Sequence, residues 1–387
     1  MSGPARVLMV SNFFDTHRGG LEIVAGQMAR GLAERDLAVT WLAADTTPPP
    51  RVSTVSPLAY VTLRMWNLTE RRLGAPFPLF GPIGAWRLFR AVGDADAVIL
   101  HDSVYPSSMA TYLSARLLRK PLIVVQHIGD VPFHNAVMRG LMRLANRWIA
   151  RPILARADQV VFISDVVRGF FKGVNFVRPP ALIFNGVDTT VFRPAGDGEK
   201  VAARRRFGLP EEAPIALFVG RFVEKKGLHL LRGAAPLRPD TLWVFAGWGV
   251  LDPESWGLPN VRVVRNVSGA ALAELYRACD ALVLPSQGEG FPLVVQEALA
   301  SGLPVVCGLD SARADEAAAP YLVGVDVAGP DACAVVEALA RAADRAVADN
   351  AAGAAQARSA FAVQRYAWPA NARKYIDILR TLKIAVP

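Results

Sequence analysis

Short runs of apolar residues recur along the chain, each closed by a glycine- or proline-marked turn and followed by a longer segment with apolar residues at helical spacing. RVLMVSN (Arg6 to Asn12), AVTWLAAD, DADAVILHD, PLIVVQHIGD, QVVFIS and ALIFNGVD are the runs of the first half. APIALFVGRF, TLWVFAGWG, VRVVRNVS, ALVLPS and PVVC are those of the second. A run that is apolar at nearly every position, rather than at alternate ones, suits a strand covered on both faces. Strands that alternate with helices predict parallel sheets, so the fold class read here is α/β. The first helix follows Arg6 to Asn12 and carries Ile23, Met28 and Leu32 on its apolar face. A helix over Asn135 to Ala155 carries Val137, Leu141, Leu144 and Trp148 along one face and Arg139, Arg143, Arg147 and Arg151 along another. Terminal helices are expected over Val363 to Leu382.

The most informative stretch runs from Cys279 to Cys307. A strand ends at Pro285 and Ser286, and a turn follows with Gly288, Glu289 and Gly290. A helix is expected from Leu293 to about Ala300, with Pro292 in its first turn, a stop at Gly302, and a second strand after Pro304. Strand, glycine turn and helix N-terminus form an anion-receiving geometry, because unpaired amides and the helix dipole point into the turn. Glu289 and Glu297 do not suit phosphate; carboxylates accept hydrogen bonds from hydroxyls, as on a sugar and a ribose. Together these groups suggest a sugar nucleotide. A plain strand–helix–strand crossover with solvent-facing glutamates is the alternative for this stretch taken alone.

With 387 residues, 52% of them hydrophobic, the chain suits two packed domains rather than one. Neither a secretion signal nor a membrane-spanning run is read in it; Leu73 to Trp86 is too short and too broken by proline and glycine. Three cysteines without metal spacing fit a reducing cytoplasm and no metal site. The net charge of +9 lies wholly in residues 1–186, where 21 Lys and Arg face 12 Asp and Glu; residues 187–387 carry 22 of each. A basic first half calls for an anionic surface or acceptor. Nucleic acid is disfavoured, since no reader motif appears. Aromatics Trp66, Phe77, Phe80, Trp86 and Phe89 lie among Arg64, Arg71, Arg72, Arg87 and Arg90, a mixture that suits a lipid-acceptor groove or core packing under a long loop. The four uncompensated arginines of the helix at Asn135 to Ala155 repel one another unless they are solvated or an anionic membrane answers them.

EGFPLVVQEALASGLPVV resembles the E-x7-E region of retaining glycosyltransferases of family 4, and further ordered motifs extend the resemblance over nearly the whole chain. GRFVEKKG resembles the family's GR…KG turn, with Arg221 and Lys226 in diphosphate-binding positions; VVQHIGD resembles its strand-end histidine, His127, which contacts the donor sugar. NGVDTTVF resembles its interdomain signature, and Gly19 and Gly20, with Glu22, match its first glycine turn over the donor phosphate. His101, at the end of DADAVILHD, is a weaker candidate.

The resemblance implies the GT-B fold, two Rossmann-like doubly wound domains facing a central cleft. It divides the chain into an acceptor-side domain over 1–192, a nucleotide-sugar domain over 193–363 and a terminal helix over 364–387 that returns to the first domain. It implies retaining, metal-independent transfer of a sugar, of hexosyl type, from a UDP- or GDP-linked donor to a glycan or lipid-linked acceptor. The basic first half and the aromatic segment, rather than the resemblance, suggest a setting in bacterial surface polysaccharide or glycolipid synthesis, in the cytoplasm at the inner face of the membrane. Catalysis would fall to His127, Arg221, Lys226 and Glu289. Donor binding would fall to Gly19, Gly20, Arg221, Lys226, Gly290, Phe291, Leu293, Val294 and Glu297, and no cofactor is implied. Two segments depart from the family pattern: Arg265 replaces a usual glycine near the nucleobase, and DSARADEAAAP replaces the segment after Cys307. A non-catalytic sugar-nucleotide-binding subunit and a sugar-nucleotide epimerase are the alternatives.

Overall fold

The computed structural model describes residues 3–17, 19–46, 48–50, 58–66, 78–129, 136–348 and 352–386. Arg71, Arg72, Phe77 and Asn135 lie outside them. The chain forms two compact units, Met1–Asn185 with Trp368–Pro387, and Gly186–Ala367.

In the first unit the strands are β1 (Arg6–Val10), β2 (Ala38–Ala44), β3 (Leu58–Leu63), β4 (Met65–Trp66), β5 (Leu79–Phe80), β6 (Ala97–His101), β7 (Leu122–Gln126), β8 (Gln159–Phe162) and β9 (Ala181–Leu182). Seven of them make one parallel sheet in the order β3-β2-β1-β6-β7-β8-β9, while β4 and β5 form a separate antiparallel ribbon. Every residue of β6, β7 and β8 is buried, as the unbroken apolar runs require of strands covered on both faces. The helix Gly20–Ala33 buries Val24, Ala25, Met28, Ala29 and Leu32. The terminal helix Trp368–Thr381 packs beside it, placing Tyr375, Ile376 and Leu379 in the same core.

The helical segment after β7 has three parts: α-helix Ala136–Ala145, a π-helical turn Asn146–Ala150, and α-helix Arg151–Arg156. Its inward residues are Met142, Asn146, Ala150, Ile153 and Leu154. The apolar stripe of Val137, Leu141, Leu144 and Trp148 instead faces solvent. Of the arginines, Arg139, Arg143 and Arg147 are exposed, whereas Arg151 turns inward, donates to Phe170 O at 2.9 Å and lies over the Phe171 ring.

The second unit holds β10 (Ile215–Phe222), β11 (Leu242–Gly249), β12 (Val261–Val264), β13 (Ala281–Leu284), β14 (Val305–Gly308) and β15 (Leu322–Val325), all parallel in the order β12-β11-β10-β13-β14-β15. The chain enters this unit at Gly186 and not after 192, because NGVDTTVF is tied into it. Val187 bridges to Ala367, Phe192 packs edge-on against Tyr276, and Arg277 donates to Val191 O. It leaves at Ala367, and the return to the first unit begins at Trp368 rather than 364. The segment after Arg193 contains the helix Glu199–Arg206, whose Arg204 is buried against Asp280 at 2.8 Å.

The departure DSARADEAAAP has a structural role. Asp315 is fully buried, caps the turn Glu316–Tyr321 by accepting from Ala317 N, and pairs with Arg365 and the Tyr366 hydroxyl from the helix Ala352–Tyr366. Removing one partner of a buried ion pair leaves the other uncompensated. Asp315→Ala should therefore destabilise the second unit by roughly 3 kcal/mol, read as an earlier unfolding transition in urea, while Arg341→Ala on the surface should leave it within about 0.5 kcal/mol.

Candidate functional site

Strand order reverses between β10 and β13 in the second unit: the chain builds towards β12 on one side and towards β15 on the other. Loops leaving adjacent strands there diverge and open a crevice beyond their carboxyl ends, where ligands bind in doubly wound sheets. From β10 come Arg221 and the turn to Gly227; from β13 come Pro285 to Gly290. Gly227 has φ +74°, and a Cβ on it would lie 2.2 Å from the Pro285 carbonyl oxygen. Only glycine lets the two loops approach this closely. Gln287 N donates to Lys225 O at 3.0 Å and holds them together.

The approach brings Lys226 Nζ to 3.2 Å and Lys225 Nζ to 3.4 Å from Glu289 Oε1, as ion pairs rather than aligned hydrogen bonds. Lys226 and Glu289 are largely covered, while Lys225 is about half exposed. Burial lowers the Lys226 ammonium's pKa; Glu289 works against that, while Lys225 and Arg221 add to it. For Glu289 burial pushes upward, but the charges of Lys226 and then Lys225 outweigh it and hold the carboxylate below its ordinary range. Arg221 is exposed at the end of β10. Two lysines thus meet one carboxylate, the Arg221 charge is felt at Lys226, and the excess positive charge suits a polyanion.

Pro292 is the N-cap of the helix Leu293–Ala300, one position before the first turn where it was expected. The amides of Leu293 and Val294 lead that helix and have no helical carbonyl to donate to. Phe291 packs inward, edge-on to Tyr366, so it and Gly290 serve the turn through backbone alone. Glu297 accepts from the Tyr276 hydroxyl at 3.0 Å, and burial pushes its carboxyl up to about 7 against the hydrogen bond's opposing pull. Arg265 is held by Asp252 and Glu254 at 2.7 and 3.0 Å, which pins it to the loop after β11.

In the first unit the strand order reverses between β1 and β6; Gly19 and Gly20 follow β1, His101 ends β6 and His127 follows the neighbouring β7. Gly19 is the N-cap of the helix that starts at Gly20, and Glu22 in its first turn is buried. His127 and His101 are both buried, with His101 Nδ1 2.9 Å from His127 Nε2. Burial drives His101 down to about 3 and His127 well below the usual imidazole value, so the pair is neutral and shares one N–H···N bond. Asp102, at φ +58°, accepts from the backbone amides of His127 and Ile128 at 2.7 and 3.2 Å.

Sequence reasoning missed Lys225, Tyr276 and Asp102. Lys225 was visible only as the second lysine of EKKG. Asp102 stands beside His101 in the sequence, but its backbone clamp depends on a left-handed conformation that no local pattern reveals. Tyr276 reaches Glu297 across 21 positions of sequence.

Residues 18–191 match the model of Glycosyltransferase Family 4, and residues 199–358 match that of Glycosyl transferases group 1. A D-inositol 3-phosphate glycosyltransferase of Stackebrandtia nassauensis is 30% identical over 81% of this chain and 79% of its own length. A D-inositol 3-phosphate glycosyltransferase 2 of Catenulispora acidiphila is 34% identical, with 59% of each chain aligned. Among solved structures, the sucrose-phosphate synthase of Thermosynechococcus elongatus superposes with TM-score 0.71 at 21% identity, covering 98% of this chain and 99% of its own. Anabaena HepE in complex with UDP-glucose superposes with TM-score 0.70 at 16% identity, covering 97% and 99%.

A carboxyl raised above its unfolded value binds a proton in the folded state that the unfolded chain has already released, so its contribution to stability is lost as pH rises. For Glu297 that loss falls between the ordinary carboxylate pKa of 4.5 and about 7. Glu297→Gln should flatten this part of the profile. The difference between the wild-type and variant unfolding free energies is expected to favour wild type at pH 4.5 relative to pH 8, measured by urea unfolding at both pH values.

Proposed function

The chain belongs to glycosyltransferase family 4, and from that membership we propose that it moves a hexosyl group, with retention, from a nucleotide-sugar donor to a hydroxyl of a glycan or glycolipid acceptor. It is a glycosyltransferase of GT-B fold. The observation that carries the proposal is the Lys226–Glu289 pair at the strand-order reversal, with two further cations and leading helix amides around it.

Without donor, Glu289 is the counter-charge that keeps the covered Lys226 ammonium ionised. A diphosphate brings more charge to the same place. Arg221 would grip it with a fork of donors and Lys226 with a point charge, and the amides of Leu293 and Val294 would complete the cradle. These groups stabilise the negative charge that grows on the leaving diphosphate, which needs no metal ion when enough fixed donors face it. Once the lysines turn to phosphate, Glu289 is released to accept from sugar hydroxyls. Glu297 offers its carboxyl to the ribose. His127, neutral and fixed by Asp102 and His101, is assigned to the donor sugar, and Gly19 and Gly20 to the donor phosphate and acceptor side. Proton transfer from the acceptor hydroxyl to a donor phosphate oxygen, on the face from which the diphosphate departs, gives retention without a protein nucleophile.

A UDP- or GDP-linked donor is favoured; UDP agrees with the ligand named for Anabaena HepE. The setting we assign is bacterial surface polysaccharide or glycolipid synthesis in the cytoplasm, with the first unit against the membrane that carries a lipid-linked acceptor. No described helix is long and apolar enough to cross a membrane.

A thermal-shift panel with UDP, GDP, ADP and dTDP tests the donor site. One nucleotide at 100 times its dissociation constant should add about 2.7 kcal/mol of stability, and Lys226→Ala should lose that gain. Glu289→Gln should keep nucleotide binding but lower sugar transfer by a hundredfold or more, on the order of 3 kcal/mol in the barrier. No stabilisation by any nucleotide, or equal stabilisation of Lys226→Ala, would remove the donor-site assignment.

A further inference from the structure

A helix on the surface of a sheet normally turns its apolar stripe inward. The segment Ala136–Arg156 does not. Leu141 is 56% exposed, Leu144 55%, Trp148 65% and Val137 80%, at positions spaced 4, 3 and 4 apart that fall on one side of the helix. The inward side is instead held by Met142, Asn146 and Ala150, with Asn146 Nδ2 donating to Gly129 O at 3.2 Å. The stripe is therefore not spare core. It is a second apolar face on a helix whose first is already occupied.

Charge says what covers it. The segment contains no Asp or Glu, and Arg143 and Arg147 stand exposed along one flank of the stripe. The Arg147 guanidinium lies 5.7 Å from the centre of the Trp148 ring. Like charges one turn apart repel, so the arrangement is held without any answering charge on its own helix. Apolar residues with an aromatic at the water boundary and arginines beside it match a bilayer interface, where acyl chains take the stripe and anionic headgroups take the guanidinium groups.

We infer that Ala136–Arg156 seats the first unit on an anionic phospholipid surface, with Leu141, Leu144 and Trp148 entering the interface and Arg143 and Arg147 contacting headgroups. This deepens the membrane setting proposed above and rests on that reading only for its purpose; lipid binding itself requires neither donor nor acceptor.

Flotation of the full chain with vesicles tests it. Phosphatidylcholine vesicles with about a third phosphatidylglycerol should carry the protein at about 50 mM salt, release most of it at about 500 mM, and pure phosphatidylcholine should carry little. Leu141→Ser with Trp148→Ser, and separately Arg143→Glu with Arg147→Glu, should each lower the bound fraction at least tenfold. Both double variants should keep the wild-type unfolding transition, since they change exposed positions, and should keep any nucleotide-induced shift. Binding that is absent at low salt, indifferent to lipid charge, or unchanged in both variants overturns the inference. So does sedimentation showing that the stripe joins two copies of the chain, with Leu141→Ser and Trp148→Ser restoring the monomer and vesicles left unbound. Loss of sugar transfer with vesicle binding intact would instead count against the catalytic reading alone.

Discussion

A buried ammonium group needs a negative partner, and in the second unit this requirement joins two loops whose paired residues, Lys226 and Glu289, are 63 positions apart in sequence. Lys226 leaves one strand and Glu289 another, and their 3.2 Å pair forms only because Gly227 admits the Pro285 carbonyl where a side chain would stand. The sheet order makes these strands neighbours whose connections run in opposite directions, so the pair stands at the mouth of the crevice. The proposed diphosphate contacts rest on this geometry. A covered positive charge with a replaceable carboxylate partner suits a phosphate, and under the proposed function the displaced carboxylate would meet the sugar.

The first unit is built on a comparable reversal but with neutral chemistry. His101 and His127 are buried deeply enough to stay uncharged, and Asp102 spends one oxygen on two backbone amides. A neutral imidazole locked by its neighbours can orient a hydroxyl without competing for the phosphate. The covered cation Lys226 thus stands in the unit proposed to hold the leaving group, and the neutral histidine pair in the unit proposed to meet the sugar. The overall excess of basic residues in residues 1–186 has a different origin, in which exposed arginines such as Arg143 and Arg147 take part.

The strands were legible because parallel strands buried on both faces must be mostly apolar, and β6, β7, β13 and β14 are, His101 and Gln126 at the ends of β6 and β7 excepted. Leu293–Ala300 was equally plain, since glycine at Gly302 and the turn before Pro292 bracket it. Lys226, Glu289 and His127 were found by motif and His101 by its place at a strand end, whereas Lys225, Tyr276 and Asp102 were not found. Tyr276 and Lys225 act through contacts that fold topology creates, and Asp315 acts through a pairing with Arg365 and Tyr366 fifty positions away. The helix at Ala136–Arg156 shows a different limit: periodicity reports that an apolar stripe exists but not which way it faces.

The central claim is that a donor diphosphate takes Lys226 from Glu289. A crystal structure with the nucleoside diphosphate that stabilises the protein most tests it directly. The account predicts a phosphate oxygen about 3 Å from Lys226 Nζ, with Arg221 turned onto the same group and the Lys226–Glu289 contact lengthened. A nucleotide bound elsewhere, with that contact still at 3.2 Å, would contradict it.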